Sequence, residues 1–395
     1  MFVYADNAAT TKISQHALQA MMPCFEKFYG NPSSLHSVGQ EANEVLQDAR
    51  ARVAACLGCE PREIFFTSGG SEADNQAIRS AAFYGAKKGK KHIISTAFEH
   101  HAVLHTLNAL EKEGFEITLL DVKDGHNVSA QQVKDAIRED TCLVTCMYAN
   151  NEIGSVLPIA EIGAICKQAG VPFHTDAVQA VGHLHINVKE QNIDMLSLSG
   201  HKFHGPKGVG ALYCRRGLPL INIIEGGAQE RGKRGGTENL PGIVGMAAAM
   251  EDACQNMDKH NAKVIAMRDK LIAGLSQIPH CDLNGDRVNR LPGNVSFCFE
   301  GIEGEALLLM LDAHGISASS GSACTSGSLD PSHVLLAIGR VHDVAHGSLR
   351  LSICHENTEE EIDHILTCVP KVVQTLRNMS PVWRDLQTGA REYIL

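Results

Sequence analysis

The chain has 395 residues, of which 44% are hydrophobic and 20% charged, a composition that excludes disordered, collagen-like and coiled-coil proteins. Its formal net charge of −10 disfavours a basic surface for nucleic acid. The sequence has no N-terminal signal pattern and no run of about 18 apolar residues, and its thirteen cysteines lack a disulfide-framework spacing. We therefore expect a soluble, cytoplasmic protein with reduced thiols and no membrane contact.

Short apolar runs alternate with longer helical ones from about residue 63 to residue 214. Seven runs predict strands: EIFFTSG, HIISTAFE, EITLLDV, CLVTCMYANN, VPFHTDAV, DMLSLSG and GALYCR. Helices are predicted near 37–56, 71–88, 101–113, 129–139 and 159–169. Several strands are apolar on both faces, which indicates helices on both sides of the sheet. The pattern predicts an α/β fold with a mostly parallel seven-stranded sheet.

The sequence pattern changes after a long helical stretch at about 238–278. The runs NVSFCFE, GISASS and GSLRLSI, with helices near 303–313 and 358–377, predict a smaller α+β unit. We predict a large domain over 13–258 and a small domain formed by 1–12 and 259–379. Residues 380–395, with the single Trp383, are expected to be a loosely held tail.

The segment TSGGSEADN, residues 67–75, places glycines and serines between a predicted strand and helix. Backbone N–H groups and the helix dipole favour phosphate at such a turn, although an ordinary helix N-cap explains this segment alone equally well. The segment GAQERGKR has P-loop spacing, but Arg234 stands where magnesium coordination needs Ser or Thr, and no GxGxxG follows the first strand. The sequence therefore predicts a phosphate site that is not a nucleotide site.

Two neighbouring predicted strands end in polar side chains. Asp176 and Gln179 follow one strand, and SGHKFHGPKG places Ser199, His201 and Lys202 after the next. Pyridoxal 5′-phosphate (PLP) needs a lysine for a Schiff base, a carboxylate that keeps its pyridine nitrogen protonated, and a phosphate site. The convergence of the three signals predicts PLP, whereas Lys202 alone would be read as a solvated surface lysine.

These segments resemble the cysteine desulfurases of the class V aminotransferase family, PLP enzymes of fold type I. The shared motifs cover nearly the whole chain: ADNAATT (5–11), GNPSSLH (30–36), TSGGSEADN, EHHAV, NNEIG, HTDAVQ, SGHKFHGPKG, QERGKRGGTEN and SSGSACTSG (319–327). The resemblance implies a homodimer that converts L-cysteine to L-alanine and passes the sulfur on as a persulfide. It further implies a sulfur-acceptor protein, such as an iron–sulfur scaffold, or a pathway of thio-cofactor synthesis or tRNA thiolation.

The resemblance also implies roles for individual residues. Lys202 would bind PLP covalently and move protons, Asp176 would pair with the pyridine nitrogen, and His100 would stack on the ring and assist proton transfer. The other implied positions are the phosphate-binding Gly70, Ser71, Ser199 and His201, the phosphate-binding Thr237 supplied across a subunit interface, Asn151 and Gln179 near the phenolic oxygen, and Asn31 and Arg350 at the substrate α-carboxylate. Arginine suits that last task because its guanidinium binds a carboxylate through two parallel hydrogen bonds.

Cys324 lies in SSGSACTSGS, among small residues. An exposed loop thiol near cationic groups can become a thiolate, and the resemblance implies that Cys324 is the nucleophile that takes sulfur from L-cysteine. It is also a possible transient iron–sulfur ligand. Without the PLP signals, a packing cysteine in a Ser/Gly turn is the alternative.

Two other functions fit parts of this pattern. Selenocysteine lyase, or another PLP-dependent lyase or aminotransferase, would use the same fold, and a catalytically silent subunit would dock on sulfur carriers. The CxxC of Cys56 and Cys59 has no second metal-binding pair and predicts packing, so no resident metal is expected. The pair Cys354 and His355 follows Arg350 at a place where no cysteine role is expected.

Overall fold

The computed structural model describes residues 1–122, 126–320 and 331–395. The strands in these ranges are β1 (Val3–Tyr4), β2 (Ile64–Thr67), β3 (His92–Thr96), β4 (Glu116–Leu120), β5 (Thr141–Thr145), β6 (Phe173–Asp176), β7 (Met195–Ser199), β8 (Gly210–Cys214), β9 (Cys281–Leu283), β10 (Asn294–Phe299), β11 (Ile316–Ser317) and β12 (Ser348–Ser352). The helices are α1 (Gln15–Glu26), α2 (Ser37–Leu57), α3 (Gly70–Ala86), α4 (His101–Lys112), α5 (Ala130–Ala136), α6 (Ile159–Ala169), α7 (Gln229–Gly232), α8 (Leu240–Leu275), α9 (Gly304–Ala313), α10 (His333–Ala337), α11 (His342–His346), α12 (Glu359–Met379) and α13 (Pro381–Gln387).

The main sheet has seven strands in the order β2-β8-β7-β6-β5-β3-β4. Strand β8 runs antiparallel to both of its neighbours, and the other strand pairs are parallel. Every residue of β5, β6 and β7 is buried, as expected for strands covered on both faces. The predicted fold class and all seven predicted strands are confirmed.

Helices cover both faces of this sheet. Helix α3 packs against β5, β7 and β8, and together with α4 it encloses an apolar layer that includes Ile78, Leu107 and Leu143. On the other face, α1 and α2 pack against α8 over a larger layer that includes Phe173 and Tyr213. The parallel strands therefore end at one common edge, between two layers of helices.

Helix α8 is 36 residues long and contributes to two apolar cores. Leu240 and Met246 pack in the core under the main sheet, whereas Met267 and Leu271 pack with β10, β12 and α12 in a second core. The predicted boundary at residue 258 falls inside this continuous helix, between the two groups of buried residues. The division into domains stays a prediction.

The second core lies against a three-stranded antiparallel sheet in the order β12-β10-β9. Of the predicted run GISASS, only Ile316 and Ser317 form a strand, and they pair in parallel with β1. Asp6 forms a bridge with Ser352 at the end of β12, which brings the segment ADNAATT to this sheet. The N-terminal residues thus reach the edge of the main sheet where the polar side chains gather.

The expectation of a loosely held tail is wrong. Residues 381–387 form α13, in which Trp383 is only 8% exposed, and the Tyr393 ring stacks on His280 at 3.8 Å between ring centroids. The backbone N–H groups of Ile394 and Leu395 donate hydrogen bonds to the Glu300 carboxylate. The partners lie about a hundred residues earlier in the chain, so no local pattern could reveal them. Among the described helices, none has both the length and the apolar character needed to cross a bilayer.

Candidate active site

A pocket of about 300 Å³ lies at the carboxyl ends of β5, β6 and β7. It is closed by the N-terminal turns of α3 and α4 and by residues of the segment ADNAATT. Ten of the predicted site residues line it: Gly70, Ser71, His100, Asn151, Asp176, Gln179, Ser199, His201, Lys202 and Arg350. Crevices at the carboxyl ends of parallel strands are the usual ligand sites of open α/β sheets.

Lys202 lies in a single 3₁₀ turn, Gly200–Lys202, directly after β7. Its Nζ donates hydrogen bonds to the backbone oxygens of Ala8 at 2.6 Å and Ala9 at 2.8 Å. The N-terminal segment therefore holds the amine at the pocket wall. Ala8 and Ala9 were not predicted as site residues, because a backbone carbonyl leaves no mark in a sequence.

Asp176 ends β6 and its side chain is almost fully buried. Burial raises the pKa of Asp176, while the N–H of Val178, donating to Oδ1 at 2.9 Å, and the Lys202 cation lower it. Burial disfavours the ionised form of this carboxyl group, and a protonated ring nitrogen beside it would supply the positive charge that stabilises that form. Such an arrangement suits a carboxylate that keeps a pyridine nitrogen protonated.

Two further buried carboxyl groups, one lining the pocket and one bonded to the backbone of the lining residue Met147, were missed in the sequence. Asp74 lines the pocket, and its Oδ1 lies 3.6 Å from His174 Nε2 without a hydrogen-bond partner in the part of the chain that the structure describes. Burial, together with the charge of Asp176, raises the pKa of Asp74 well above its ordinary value. Burial also raises the pKa of Glu99 to about 8, although its Oε1 accepts from Thr96 and from the Met147 N–H. Both residues belong to motifs quoted above, TSGGSEADN and EHHAV, which was the only available signal.

The N-terminus of α3 forms one end of the pocket. Its N-cap, Gly69, has no side chain to accept from the first N–H groups of this 17-residue helix, which leaves them without the usual N-cap hydrogen bond. Ser71 follows on the helix, and Ser199 and His201 face it from the end of β7. His201 Nδ1 is bonded to Thr10 Oγ1 at 3.1 Å, and burial lowers the pKa of this histidine to about 4. These groups match the requirements of a phosphate.

His100 is the N-cap of α4. Its Nδ1 accepts a hydrogen bond from the Ala102 N–H at 3.1 Å, so the neutral ring carries its proton on Nε2. Burial, and then the charge of Lys202, lower the pKa of His100 to about 4. A neutral ring is therefore presented to the pocket at physiological pH.

Arg350 on β12 supplies a buried guanidinium, 3% exposed. It pairs with the Asp6 carboxylate at 2.9 Å and donates to the Asn151 backbone oxygen at 3.3 Å, while its Nε has no hydrogen-bond partner among the described residues. An unsatisfied buried N–H is costly, and a carboxylate in the pocket would satisfy it. Asp6, which was missed in the sequence, fixes the orientation of this guanidinium.

Three predicted site residues are not part of the pocket wall. Asn31 is exposed, and its Oδ1 accepts from the Ser33 N–H at 2.9 Å. Thr237 is exposed in the loop before α8. Cys324 lies outside the described residues, and Ser319, near the end of the described range before it, pairs with the Arg350 backbone. The roles of these residues stay predictions.

A larger cavity, about 760 Å³, lies at the opposite, amino ends of the same strands. Its charged residues are at least partly exposed or satisfied: Arg215 Nε contacts Asp194 Oδ1 at 2.5 Å, and the buried Glu63 accepts from the backbone N–H groups of Glu60 and Arg216. Polar groups that converge without partners are found in the smaller pocket instead, which is therefore the candidate active site.

The sequence profile of the Aminotransferase class-V family matches residues 3–365. The chain belongs to this family. A protein named Cysteine desulfurase IscS, from Clostridium botulinum, is 54% identical over 393 residues, which cover 99% of each chain. Among solved structures, a NifS-like protein superposes with a TM-score of 0.89 at 38% identity, covering 95% of this chain and 100% of its own. A structure of SspA in complex with cysteine gives a TM-score of 0.79 at 37% identity, covering 90% and 100%.

These findings confirm the resemblance to the cysteine desulfurases, the fold of PLP enzymes of type I and the dependence on PLP. The residues of the pocket fit this cofactor. The Lys202 amine, the buried Asp176 carboxylate and the N-terminus of α3, which has no side-chain cap, all line the same pocket. Arg350 Nε has no partner among the described residues, so its N–H is free to bind a substrate carboxylate. The predicted pocket residues therefore have the chemistry that the family requires.

Proposed function

We propose that the protein removes sulfur from L-cysteine, releases L-alanine and holds the sulfur as a persulfide on Cys324. The observation that carries this proposal is the convergence of Lys202, Asp176 and the unpaired Nε of Arg350 on one pocket. Relatives named cysteine desulfurase, similar over almost the whole chain, support the same reaction.

PLP supplies a conjugated ring that accepts the electron pair released at the substrate Cα. Lys202 would hold it covalently, Asp176 would hold its ring nitrogen, and the α3 N-terminus with Ser71, Ser199 and His201 would hold its phosphate. Gln179, whose Nε2 donates to the Ala8 oxygen at 2.9 Å, lies beside Lys202 and Asn151 on the same wall.

The chain's own groups then orient the amino acid and move its protons. Arg350 binds the substrate α-carboxylate, and its contact with Asp6 keeps the guanidinium in place. The Lys202 amine takes the proton from Cα, because it is the basic group that the carbonyls of Ala8 and Ala9 hold at the pocket wall. His100 is neutral, so its ring can lie against an apolar ring face and accept or relay a proton.

The sulfur step is assigned to Cys324 by resemblance. Its thiolate attacks the sulfur of the bound cysteine, and an S–S bond forms as the substrate carbon–sulfur bond breaks. The bonding electron pair leaves with the carbon, which takes up a proton and becomes the methyl group of alanine. No external oxidant is needed, because the substrate carbon takes the two electrons that formation of the S–S bond releases from the sulfurs.

The deciding experiment gives L-cysteine and a reductant to the PLP-loaded protein and measures alanine and sulfide. Equal amounts of both products are expected, and a Cys324→Ala variant should make neither while it keeps bound PLP. Alanine production that survives in Cys324→Ala would contradict the role of Cys324. Activity on selenocysteine alone would favour selenocysteine lyase, and a protein that binds no PLP would favour a silent docking subunit.

We also propose a homodimer. Leu18, Met22 and Phe25 share one face of α1 and are 39%, 46% and 59% exposed, and Leu35 nearby in sequence is 92% exposed. This apolar surface supports association, and the exposed Thr237 supports a phosphate contact made in the partner subunit. Light scattering should give twice the chain mass, and Phe25→Glu should lower that mass and weaken PLP binding. A monomeric wild-type protein with tightly bound PLP would contradict the proposal.

The persulfide on Cys324 passes its sulfur to an acceptor. We propose an acceptor protein such as an iron–sulfur scaffold, or a thio-cofactor or tRNA-thiolation pathway, in the cytoplasm. The twelve cysteines in the described ranges are all free thiols, which supports a reducing compartment.

A further inference from the structure

The pair Cys354 and His355, which the active site does not use, lies next to a third metal-binding side chain. Both residues follow β12, four and five positions after Arg350, and His204 follows Lys202 by two positions in the chain. One ligand atom from each of His204, Cys354 and His355 lies within 4.8 Å of the other two. Segments about 150 residues apart in the sequence therefore bring a thiol and two imidazoles to one point.

His204 is held with a free nitrogen in this cluster. It is only 8% exposed, and its Nδ1 is bonded to the Lys12 backbone oxygen at 3.0 Å. Because a carbonyl oxygen can only accept, Nδ1 carries the ring proton, and the lone pair of a neutral ring is on Nε2. Nε2 is buried, and no described residue forms a hydrogen bond with it. A ring N–H donated to a backbone carbonyl is the usual outer support of a metal-binding histidine.

A small cavity of about 50 Å³ lies at the same place. His204, Cys354 and His355 line it together with His183, His260 and Asp252. This volume is enough for a metal ion and one water molecule, given that a buried water needs roughly 10–15 Å³ of such space. The cavity and the unpartnered nitrogen are separate observations that point to the same ligand.

The remaining rings support the cluster. The His260 ring lies parallel to His355, with 3.9 Å between centroids and 2° between planes. A ring nitrogen binds a metal in the plane of its ring, so His260 orients His355 rather than sharing its ion. His183 Nε2 is bonded to the Lys202 backbone oxygen at 3.1 Å, which joins the cavity wall to the turn that carries the lysine.

We propose that His204, Cys354 and His355 bind one zinc ion, with water or the Asp252 carboxylate as the fourth ligand. Mixed thiolate and imidazole donors in a tetrahedral site favour Zn²⁺ over Mg²⁺ or Ca²⁺, which prefer oxygen ligands. Binding replaces the thiol proton of Cys354 by the metal and releases that proton, with no change of oxidation state. With Zn–N of about 2.0–2.1 Å and Zn–S of about 2.3 Å, the ligand atoms would lie roughly 3.3–3.6 Å apart, which is compatible with atoms that already lie within 4.8 Å of one another.

The ion would join the Lys202 turn to the end of the strand that carries Arg350. It thereby fixes the distance between the amine and the guanidinium that face the pocket from different sheets. The site acts through position, since none of its three ligands lines the pocket.

The test measures zinc in the PLP-loaded protein after chelator treatment, addition of zinc and desalting. One zinc per chain is expected, and Cys354→Ala and His204→Gln should weaken binding at least about a hundredfold, because even changes to outer supporting residues cost 10–100-fold. Cys368→Ala is the matched control, since Cys368 is another buried cysteine beside a histidine, His364 at 3.8 Å, and should bind like the wild type. PLP content and circular dichroism identify a variant that fails to fold.

X-ray absorption on the wild-type protein gives an answer that no folding defect can obscure. One sulfur at about 2.3 Å with nitrogen or oxygen neighbours at about 2.0–2.1 Å is expected. A spectrum without sulfur, no stoichiometric zinc, or equal binding by Cys354→Ala would overturn the proposal. Loss of zinc in Cys324→Ser with retention in Cys354→Ala would also overturn it, because the ion would then be bound elsewhere.

Discussion

The two ends of the main sheet carry cavities that differ in how their charged groups are satisfied. The amino-end cavity is larger, about 760 Å³ against about 300 Å³. Its charged groups are at least partly exposed, paired with each other as in Arg215 and Asp194, or, like the buried Glu63, satisfied by backbone N–H groups. The carboxyl-end pocket contains buried groups without complete partners, among them Asp74 Oδ1 and Arg350 Nε. Buried polar groups cost free energy unless they are paired, so their accumulation marks the place where a ligand provides the missing partners. Of these two cavities, volume alone would have selected the one at the amino end.

The largest difference in activity between variants at the two ends of the sheet is expected when Lys202 is replaced. Lys202→Ala should lower kcat for alanine formation by at least about a thousandfold, because it removes both a covalent attachment point and a proton-transfer group. Lys189→Ala, at the amino-end cavity, should change kcat less than twofold. Alanine production is measured with saturating PLP and L-cysteine. A Lys202→Ala variant that retains a tenth of the activity would remove the basis for placing the chemistry in this pocket.

A smaller loss of activity is expected when the Arg350 guanidinium is replaced. Arg350→Lys keeps the charge but loses the two-pronged geometry, and charged hydrogen bonds contribute about 1.5–3 kcal/mol. We expect kcat/KM for L-cysteine to fall by about tenfold to about a hundredfold, mainly through KM. The control, Arg215→Lys at the other end of the sheet, should leave KM unchanged. If only kcat fell, Arg350 would act in a later step than substrate binding.

The smallest effect concerns stability rather than activity. Because burial raises the pKa of Glu99 from 4.5 to about 8, the folded chain keeps a proton there between these pH values, while the unfolded chain releases it. The free energy of unfolding should therefore decrease as the pH rises through this window, by at most about 1.4 kcal/mol per pH unit. Glu99→Gln should flatten the decrease, measured by urea unfolding at pH 5 and pH 8. The exposed Glu113→Gln should not, and an unchanged slope in Glu99→Gln would show that this carboxyl group ionises normally.

The sequence predicts most of this architecture because the strands of the main sheet are short apolar runs. Strands such as β5 and β7 are buried at every position, and such runs are readable without tertiary information. Helix α1 and strands β1 and β9 were not identified. Strand β1 has only two residues and exists because β11 lies beside it. Short elements of this kind depend on contacts that a local pattern does not contain.

For the site, the side chains that end predicted strands were found and the groups that support them were not. Asp176 and Lys202 could be identified because they lie at the ends of strands that the hydrophobic pattern predicts. The carbonyls of Ala8 and Ala9 and the carboxylate of Asp6 come from the other end of the chain, and only the folded structure brings them to the pocket. The motif ADNAATT marked this segment by resemblance, without showing which of its atoms would face Lys202.

Helix α8 has a practical consequence for work with fragments of this protein. At 1.5 Å per residue its 36 residues form a rod of about 54 Å, and its two halves are each buried in a different core. A cut between the cores would have to divide this helix and would leave an apolar surface on both pieces. Insoluble products are therefore expected from split expression, from swapping the C-terminal part between relatives, or from inserting a reporter near residue 258. The exposed turn at Gly89, where an added Cβ would contact no atom within 4 Å, is a more tolerant position for an insertion.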